Sequence, residues 1–448
     1  MLSDVATRRA WLVALALVLA CAPLRAQSAD LPPERWTIVQ CGSVLLVPGQ
    51  PVRGETTLVI HEGLIAEVLD GLVAPEAVMA GKSGEREVVD LRTAFVLPGL
   101  IDAHVHLTHE YSADARLRRV TEDDADAALR GSVYARKTLE AGFTSVRDLG
   151  GGPATFALRD AIASGMIPGP RMIVAGRAIT PTGGHGDISN GYRDDLFDAP
   201  GAYEGVADGP YEARKAVRAQ VKRGADVIKL TATGGVLSNT NAGTDIQFKE
   251  DELLEIVSTA HMLGRKVAAH AHGAQGVNAA LKAGVDSIEH GTFLDAESLK
   301  LFAATGAWYV PTVIAGKTVE EHAKQPGFFP PNVAEKARLV GPQIQDALRR
   351  ALAGGVKIAF GTDAGVFPHG ENAREFQYMV EAGMTPMDAI RSATLGSATL
   401  LGIDKEVGTL EVGKHADLVA TRKNPLVDIT ELGRPVFVMR GGSVYKRE

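Results

Sequence analysis

Cysteine is nearly absent from this chain of 448 residues, which has only Cys21 and Cys41. Cys21 lies in an amino-terminal stretch that reads as a removable leader. The mature chain would then keep one thiol, and one thiol makes no intramolecular disulfide. Stability must come from packing, and a chain with 45% hydrophobic and 23% charged residues has ample material for a large core. Cys41 sits in an apolar, strand-like stretch and reads as an inert core residue. Basic residues are also in deficit. The formal net charge is −7, no stripe of lysine and arginine is visible, and nucleic acid is not expected as a partner. No apolar run reaches the roughly 20 residues of a membrane-spanning helix. No tandem repeat is present.

The first 26 residues differ from the rest. Arg8 and Arg9 precede a short apolar run, and Leu24-Arg25-Ala26 places a small residue before Gln27. This order predicts a signal peptide cut after Ala26. Thr7-Arg8-Arg9-Ala10-Trp11-Leu12 also resembles a twin-arginine signal, which suits a protein folded around metal before export. The expected location is periplasmic or secreted, by the Sec or the twin-arginine route. An uncleaved anchor and a lipoprotein cut before Cys21 are the alternatives, and Leu19 fits the second poorly. No stable membrane insertion is expected after cleavage.

Two strand-rich ends flank a middle that alternates. Thr57-Leu58-Val59-Ile60 and Leu64-Ile65-Ala66-Glu67-Val68 surround Glu62-Gly63, a hairpin signal. Gly408-Thr409-Leu410, Asp417-Leu418-Val419-Ala420 and Val436-Phe437-Val438-Met439 look similar. Residues 27–97 plus 405–448 are therefore expected to form one small β-sandwich domain from both chain ends. Between them, strand candidates at 95–107, 143–149, 171–179, 225–233, 266–272, 285–291, 307–313 and 356–363 alternate with helical stretches. Eight such strands predict an α/β fold with a (β/α)₈ TIM barrel over residues 98–404. Residues 180–210 and 314–332, rich in glycine and proline, read as long loops following strands.

His104 and His106 form a His-x-His pair near the end of the first barrel strand, where positions two apart point the same way. Alone, that pair is a weak signal. Lys229, however, lies inside the apolar strand Val227-Ile228-Lys229-Leu230, where a charge is costly unless paired or neutralised. His270, His290 and Asp363 each end a further strand candidate. Ordinary core groups have no reason to gather at the same ends of five strands. Imidazole and carboxylate ligands suit zinc or a similar divalent ion. Four histidines and one aspartate more than fill a tetrahedral site, so two metals are expected if Lys229 supplies a shared anion. Burial depresses a lysine pKa, and the neutral amine can take up CO₂ as a carbamate.

With these residues in place, the chain resembles the amidohydrolase superfamily, in the branch holding imidazolonepropionase-like and Xaa-Pro dipeptidase members and ochratoxin-hydrolysing enzymes. The resemblance is carried by Leu97-Pro98-Gly99-Leu100-Ile101-Asp102-Ala103-His104-Val105-His106, by Lys229, His270 and His290, and by Gly361-Thr362-Asp363. The segment Gly408 to Leu418 also matches. The likeness covers nearly all of residues 36–448. It implies one metal on His104, His106 and Asp363, a second on His270 and His290, and a carboxylated Lys229 bridging both. It also implies a homo-oligomer.

Asp363, His290 and His272 are the expected catalytic residues, with Asp363 passing a proton from the attacking water to the leaving amine. His272, two residues past His270, and His185, in the long third loop, are candidates for substrate contact against a plain structural role. Tyr192 and Arg193 share that loop. An arginine there could clamp a carboxylate, though a solvated surface arginine is the plainer expectation. Asp102 precedes the His-x-His pair on the opposite strand face and is expected to be structural. The predicted activity is hydrolysis of an amide that releases a free amino acid, from Xaa-Pro-type dipeptides, N-acyl amino acids or ochratoxin A-type aryl amides. The rivals are opening of a cyclic amide and a non-catalytic binding protein on the same fold.

Overall fold

The computed structural model describes residues 34–238 and 243–448. The expected leader lies outside the described residues. The strands, in chain order, are β1 (Arg35–Val44), β2 (Thr56–His61), β3 (Leu64–Asp70), β4 (Glu85–Pro98), β5 (Leu100–Val105), β6 (Phe143–Asp148), β7 (Arg171–Val174), β8 (Val227–Thr231), β9 (Lys266–Ala271), β10 (Ser287–His290), β11 (Trp308–Val310), β12 (Lys357–Ile358), β13 (Leu418–Thr421), β14 (Phe437–Arg440) and β15 (Ser443–Arg447).

Seven of them form one sheet in the order β15-β14-β13-β4-β1-β2-β3, so strands from both ends of the described chain are neighbours. The turn between β2 and β3 has positive φ at both Glu62 and Gly63, as a tight two-residue hairpin requires. β1 buries residues of both parities. Val39 and Cys41 face one apolar cluster, which includes Leu410 and Ala416. Trp36 and Ile38 face another, which includes Val78 of the short helix Pro75–Val78. Hydrogen bonding thus joins all seven strands in one sheet, where the sequence predicted a sandwich. Most members of the first cluster lie on the strands themselves, on β1 to β4 and on β13 and β14, and Leu410 and Ala416 add to it from loops. Burial pushes the Cys41 thiol up to about 12, which keeps it protonated and unreactive.

The other eight strands are parallel. β5, β6 and β7 form one sheet, and β8 to β12 form a second. Backbone hydrogen bonds join the two at both seams. Ile179 donates to Lys229 O at 2.8 Å just past β7, and Ala103 of β5 donates to Phe360 O at 2.8 Å just past β12. Helices follow the strands, and their apolar faces pack with the sheets in one large cluster. Among the described residues no helix is long and apolar enough to cross a membrane.

Two stretches depart from the sequence expectation. The strand predicted at 356–363 is regular only at Lys357–Ile358. Beyond it the backbone turns through a left-handed Asp363, φ 62°. Residues 314–332, read as a loop, begin with the helix Val313–Ala323. Its first amides are capped by Glu375, a residue far along the chain.

Candidate metal centre

The carboxyl ends of the parallel strands gather the titratable side chains. β5 carries His104 and ends one residue before His106. Asp363 lies beyond β12, where its amide and that of Thr362 both donate to His104 O. Ligand atoms of His104, His106 and Asp363 all lie within 4.8 Å of one another. Asp363 Oδ1 is 3.0 Å from His106 Nε2 and 3.4 Å from His104 Nε2. Asp102, fully buried, ties this corner together. It accepts from Thr362 Oγ1 at 2.6 Å, Asn372 Nδ2 at 2.8 Å, and the amides of His104 and Thr362 at 3.1 Å.

The outward nitrogens of these imidazoles face oxygen acceptors. His104 Nδ1 lies 2.9 Å from Glu289 Oε2, and His106 Nδ1 lies 2.9 Å from Gly150 O. Protons on both Nδ1 atoms leave the Nε2 lone pairs facing the Asp363 carboxylate. That is the donor arrangement a divalent cation requires, and the residues present fit one. Burial opposes ionisation of Asp363, but protonated imidazoles at His104 and His106 would hold its carboxyl well below the usual range. Burial pulls His104 down to about 4, so it stays neutral and able to ligate near pH 7.

The remaining predicted residues adjoin this trio. The rings of His270 and His290 lie 4.7 Å apart, and that of His290 is 5.1 Å from His104. His290 Nδ1 meets Thr312 Oγ1 at 2.7 Å. His270 Nε2 is 3.3 Å from Gly234 O. Lys229 on β8 is 4% exposed. Burial pulls its amine down to about 8, against the opposing charges of Glu289 and Asp363. His272 stacks on His290 at 5.1 Å and bonds Thr292 Oγ1 through Nδ1. His185 stacks on His270 at 4.3 Å, and its Nδ1 is buried without a hydrogen-bond partner. Burial lowers His185 to about 3.

Two predicted residues are committed elsewhere. The Tyr192 hydroxyl donates to Arg116 O at 2.8 Å, and its ring packs on Phe197 and under the Arg116 guanidinium. The Arg193 side chain is 76% exposed and pairs with Asp195. A local aspartate two residues away takes up its charge, as the plainer expectation of a solvated surface arginine had it.

The structure adds groups that the sequence reading passed over. Arg147 on β6 and Glu289 on β10 form an ion pair with side chains 2% and 0% exposed. The signal for them was the one that found Lys229, a charge inside an apolar strand. An apolar wall also borders the centre. Val366 donates its amide to Asp363 O, Phe293 to His272 O and Tyr111 to Gly365 O. These three pack with Leu237 and Phe328 against one buried cluster. Contacts of this kind join loops from separate strands and leave no local periodicity to read.

Comparison with known proteins places this arrangement. Over 445 residues the chain is 34% identical to an ochratoxinase of Aspergillus niger, covering 95% of this chain and 89% of that protein. An imidazolonepropionase of Treponema denticola is 25% identical over 386 residues, covering 81% of this chain and 84% of its own. A crystal structure of a Xaa-Pro dipeptidase with bound methionine in the active site superposes with a TM-score of 0.88 at 44% identity. It covers 92% of this chain and 100% of the dipeptidase. The amidohydrolase family pattern matches residues 95–445. The chain therefore belongs to the amidohydrolase family.

Proposed function

We propose that this protein hydrolyses an amide bond joining an acyl group to an amino acid, releasing the free amino acid. Xaa-Pro-type dipeptides and N-acyl amino acids are the favoured substrates, with ochratoxin A-type aryl amides among the latter. The observation that carries this proposal is the convergence of His104, His106 and Asp363, with each imidazole's Nδ1 set against an oxygen acceptor. The dipeptidase and ochratoxinase relatives support the substrate class. The apolar wall of Tyr111, Phe293 and Val366 favours a substrate with an apolar group beside the scissile bond.

In this proposal the two parallel sheets act as one closed (β/α)₈ barrel with the site at its carboxyl end. Two divalent ions, Zn²⁺ by donor chemistry, would be held by His104, His106 and Asp363 and by His270 and His290. Lys229, carboxylated, would bridge them. When bound, such ions lower the pKa of a water and polarise the amide carbonyl. The chain's own groups do the rest. Asp363 takes the proton of the attacking water on its carboxylate and gives it to the leaving amine nitrogen. His272 and the unpartnered Nδ1 of His185 hold the substrate's polar atoms. His290, fixed by Thr312, keeps its ring against His104. On the pattern of residues 1–26 we also propose export from the cytoplasm.

The test uses purified protein supplied with Zn²⁺ and bicarbonate. Xaa-Pro dipeptides, N-acyl amino acids, ochratoxin A and imidazolone propionate are assayed for release of free amino acid or ring opening. Expected are turnover of members of the first three groups and its loss on chelation. Turnover of the cyclic compound alone would overturn the proposed substrate class.

A further inference from the structure

Beneath the candidate metal centre, amide hydrolysis leaves one buried feature without a purpose. The interior of a parallel-strand barrel is normally filled by branched aliphatic side chains. Here that space holds Arg147 and Glu289, with Nη2 and Oε1 2.9 Å apart. A buried ion pair is often no more stabilising than apolar residues of the same volume, so stability does not account for it.

The bonding pattern does. Arg147 Nε donates to Ala103 O at 2.6 Å, and Nη1 donates to Ser287 Oγ at 3.1 Å. Ser287 Oγ in turn donates to Glu289 Oε1 at 2.5 Å. Glu289 Oε1 is thus occupied by two donors. Oε2 is left for one partner, His104 Nδ1 at 2.9 Å.

We propose that Glu289 is a positioning residue that fixes His104 as its Nδ1–H tautomer, and that Arg147 decides which Glu289 oxygen faces the imidazole. Glu289 can act in this way only if His104 binds a metal, as proposed above. A metal takes the imidazole lone pair on Nε2, so Nδ1 must carry the proton and needs an acceptor. Glutamine at 289 would have nearly the same shape and the opposite effect. Arg147 and Ser287 donate toward Oε1, so the amide oxygen must take that place. The amide NH₂ then faces Nδ1 and demands a lone pair there. The imidazole proton moves to Nε2 and blocks coordination. Without Arg147, the amide can turn. Its oxygen faces Nδ1, its NH₂ donates to Ser287 Oγ, and the ligating tautomer returns.

The experiment uses the full chain, stripped with a chelator and titrated with Co²⁺. Binding is read from the ligand-field absorption and from competition with a chromophoric chelator, and the Tm of each variant is recorded in parallel. Glu289→Gln is expected to raise the apparent Kd of the ion held by His104 by about 10–100-fold. Arg147→Met/Glu289→Gln is expected to bind more tightly than Glu289→Gln alone. Arg147→Met/Glu289→Met, which offers Nδ1 no acceptor, is expected to bind at least about tenfold more weakly than Arg147→Met/Glu289→Gln. Both doubles remove the buried charge, so their comparison stands even if Glu289→Gln fails to fold. Equal affinities for the two doubles would overturn the proposal while wild type binds Co²⁺. A wild type that binds no Co²⁺ would instead overturn the metal assignment.

Discussion

Replacing Glu375 with alanine should destabilise the protein at a point far from any surface. The helix Val313–Ala323 begins at Thr312, and a threonine before a helix ordinarily caps it with its hydroxyl. Thr312 does not, because its Oγ1 is engaged with His290 Nδ1 at 2.7 Å. Glu375 takes over the capping. Its Oε1 accepts from Val313 N at 2.9 Å and its Oε2 from Ile314 N at 2.7 Å, all within the core. Glu375→Ala orphans two buried amides. At about 1–3 kcal/mol for each unsatisfied group, the loss is about 2–6 kcal/mol. For a chain of this size, that lowers Tm by about 2–7 °C. Glu375→Gln keeps one acceptor and turns a donor toward the other amide, so it should fall between alanine and wild type. Differential scanning fluorimetry on the three proteins, with metal removed, measures this. If Glu375→Ala melts within a degree of wild type, solvent or another group satisfies those amides and the capping argument fails.

Two further outcomes follow from the site. With metal removed, Tm should rise from pH 4.5 to about 6.5 and fall again toward pH 8. Burial lowers His104, His272 and His369 to about 4 and His185 to about 3, so their unfolded forms bind more protons, and together they outweigh the buried carboxyls as pH falls below 6.5. Burial raises Asp102 to about 7 and Glu375 to about 8, so their folded forms hold protons more tightly and that stability is lost as pH rises. A Tm that climbs steadily to pH 8 would show that those carboxyls are ionised when folded. Arg193→Ala should leave kcat/KM within about twofold, because its exposed pair with Asp195 is worth little. A tenfold loss on N-acyl amino acids, which carry a free carboxylate, would restore Arg193 as a carboxylate clamp.

What was legible in the sequence was whatever repeats locally. The strands at 266–272 and 285–291 carry apolar runs ending in histidine, and β9 and β10 lie there. Lys229 stood out because an apolar strand does not tolerate a lysine without reason. The helix Val313–Ala323 was hidden because the residue that caps it comes from another helix, Arg374–Glu381. Arg193 read as a possible clamp because nothing in the pattern says that Asp195 captures it. Glu289 was legible by the rule that found Lys229. It was passed over because His290 beside it explained the strand end.

Neighbours on a strand point to opposite faces, yet Glu289 and His290 both reach His104. Glu289 Oε2 lies 2.9 Å from its Nδ1, and the His290 ring lies 5.1 Å from its ring. Regular β10 geometry forbids this. The contradiction is resolved by φ 70° at His290, which breaks the alternation at the last residue of β10. Asp363 does the same at φ 62°. Such conformations cost a non-glycine residue about 1–2 kcal/mol, and the surroundings hold them in place. The Tyr309 hydroxyl donates to His290 O at 2.8 Å, Gly291 N to Ala271 O at 2.9 Å, and Asp363 N to His104 O at 2.7 Å. A glycine at either position would remove the strain and the proposed ligand together. Glu62 and Thr312 share such backbone angles, so strain alone assigns no role; at His290 and Asp363 it falls on two of the residues proposed to hold metal, which is where strain of this kind collects.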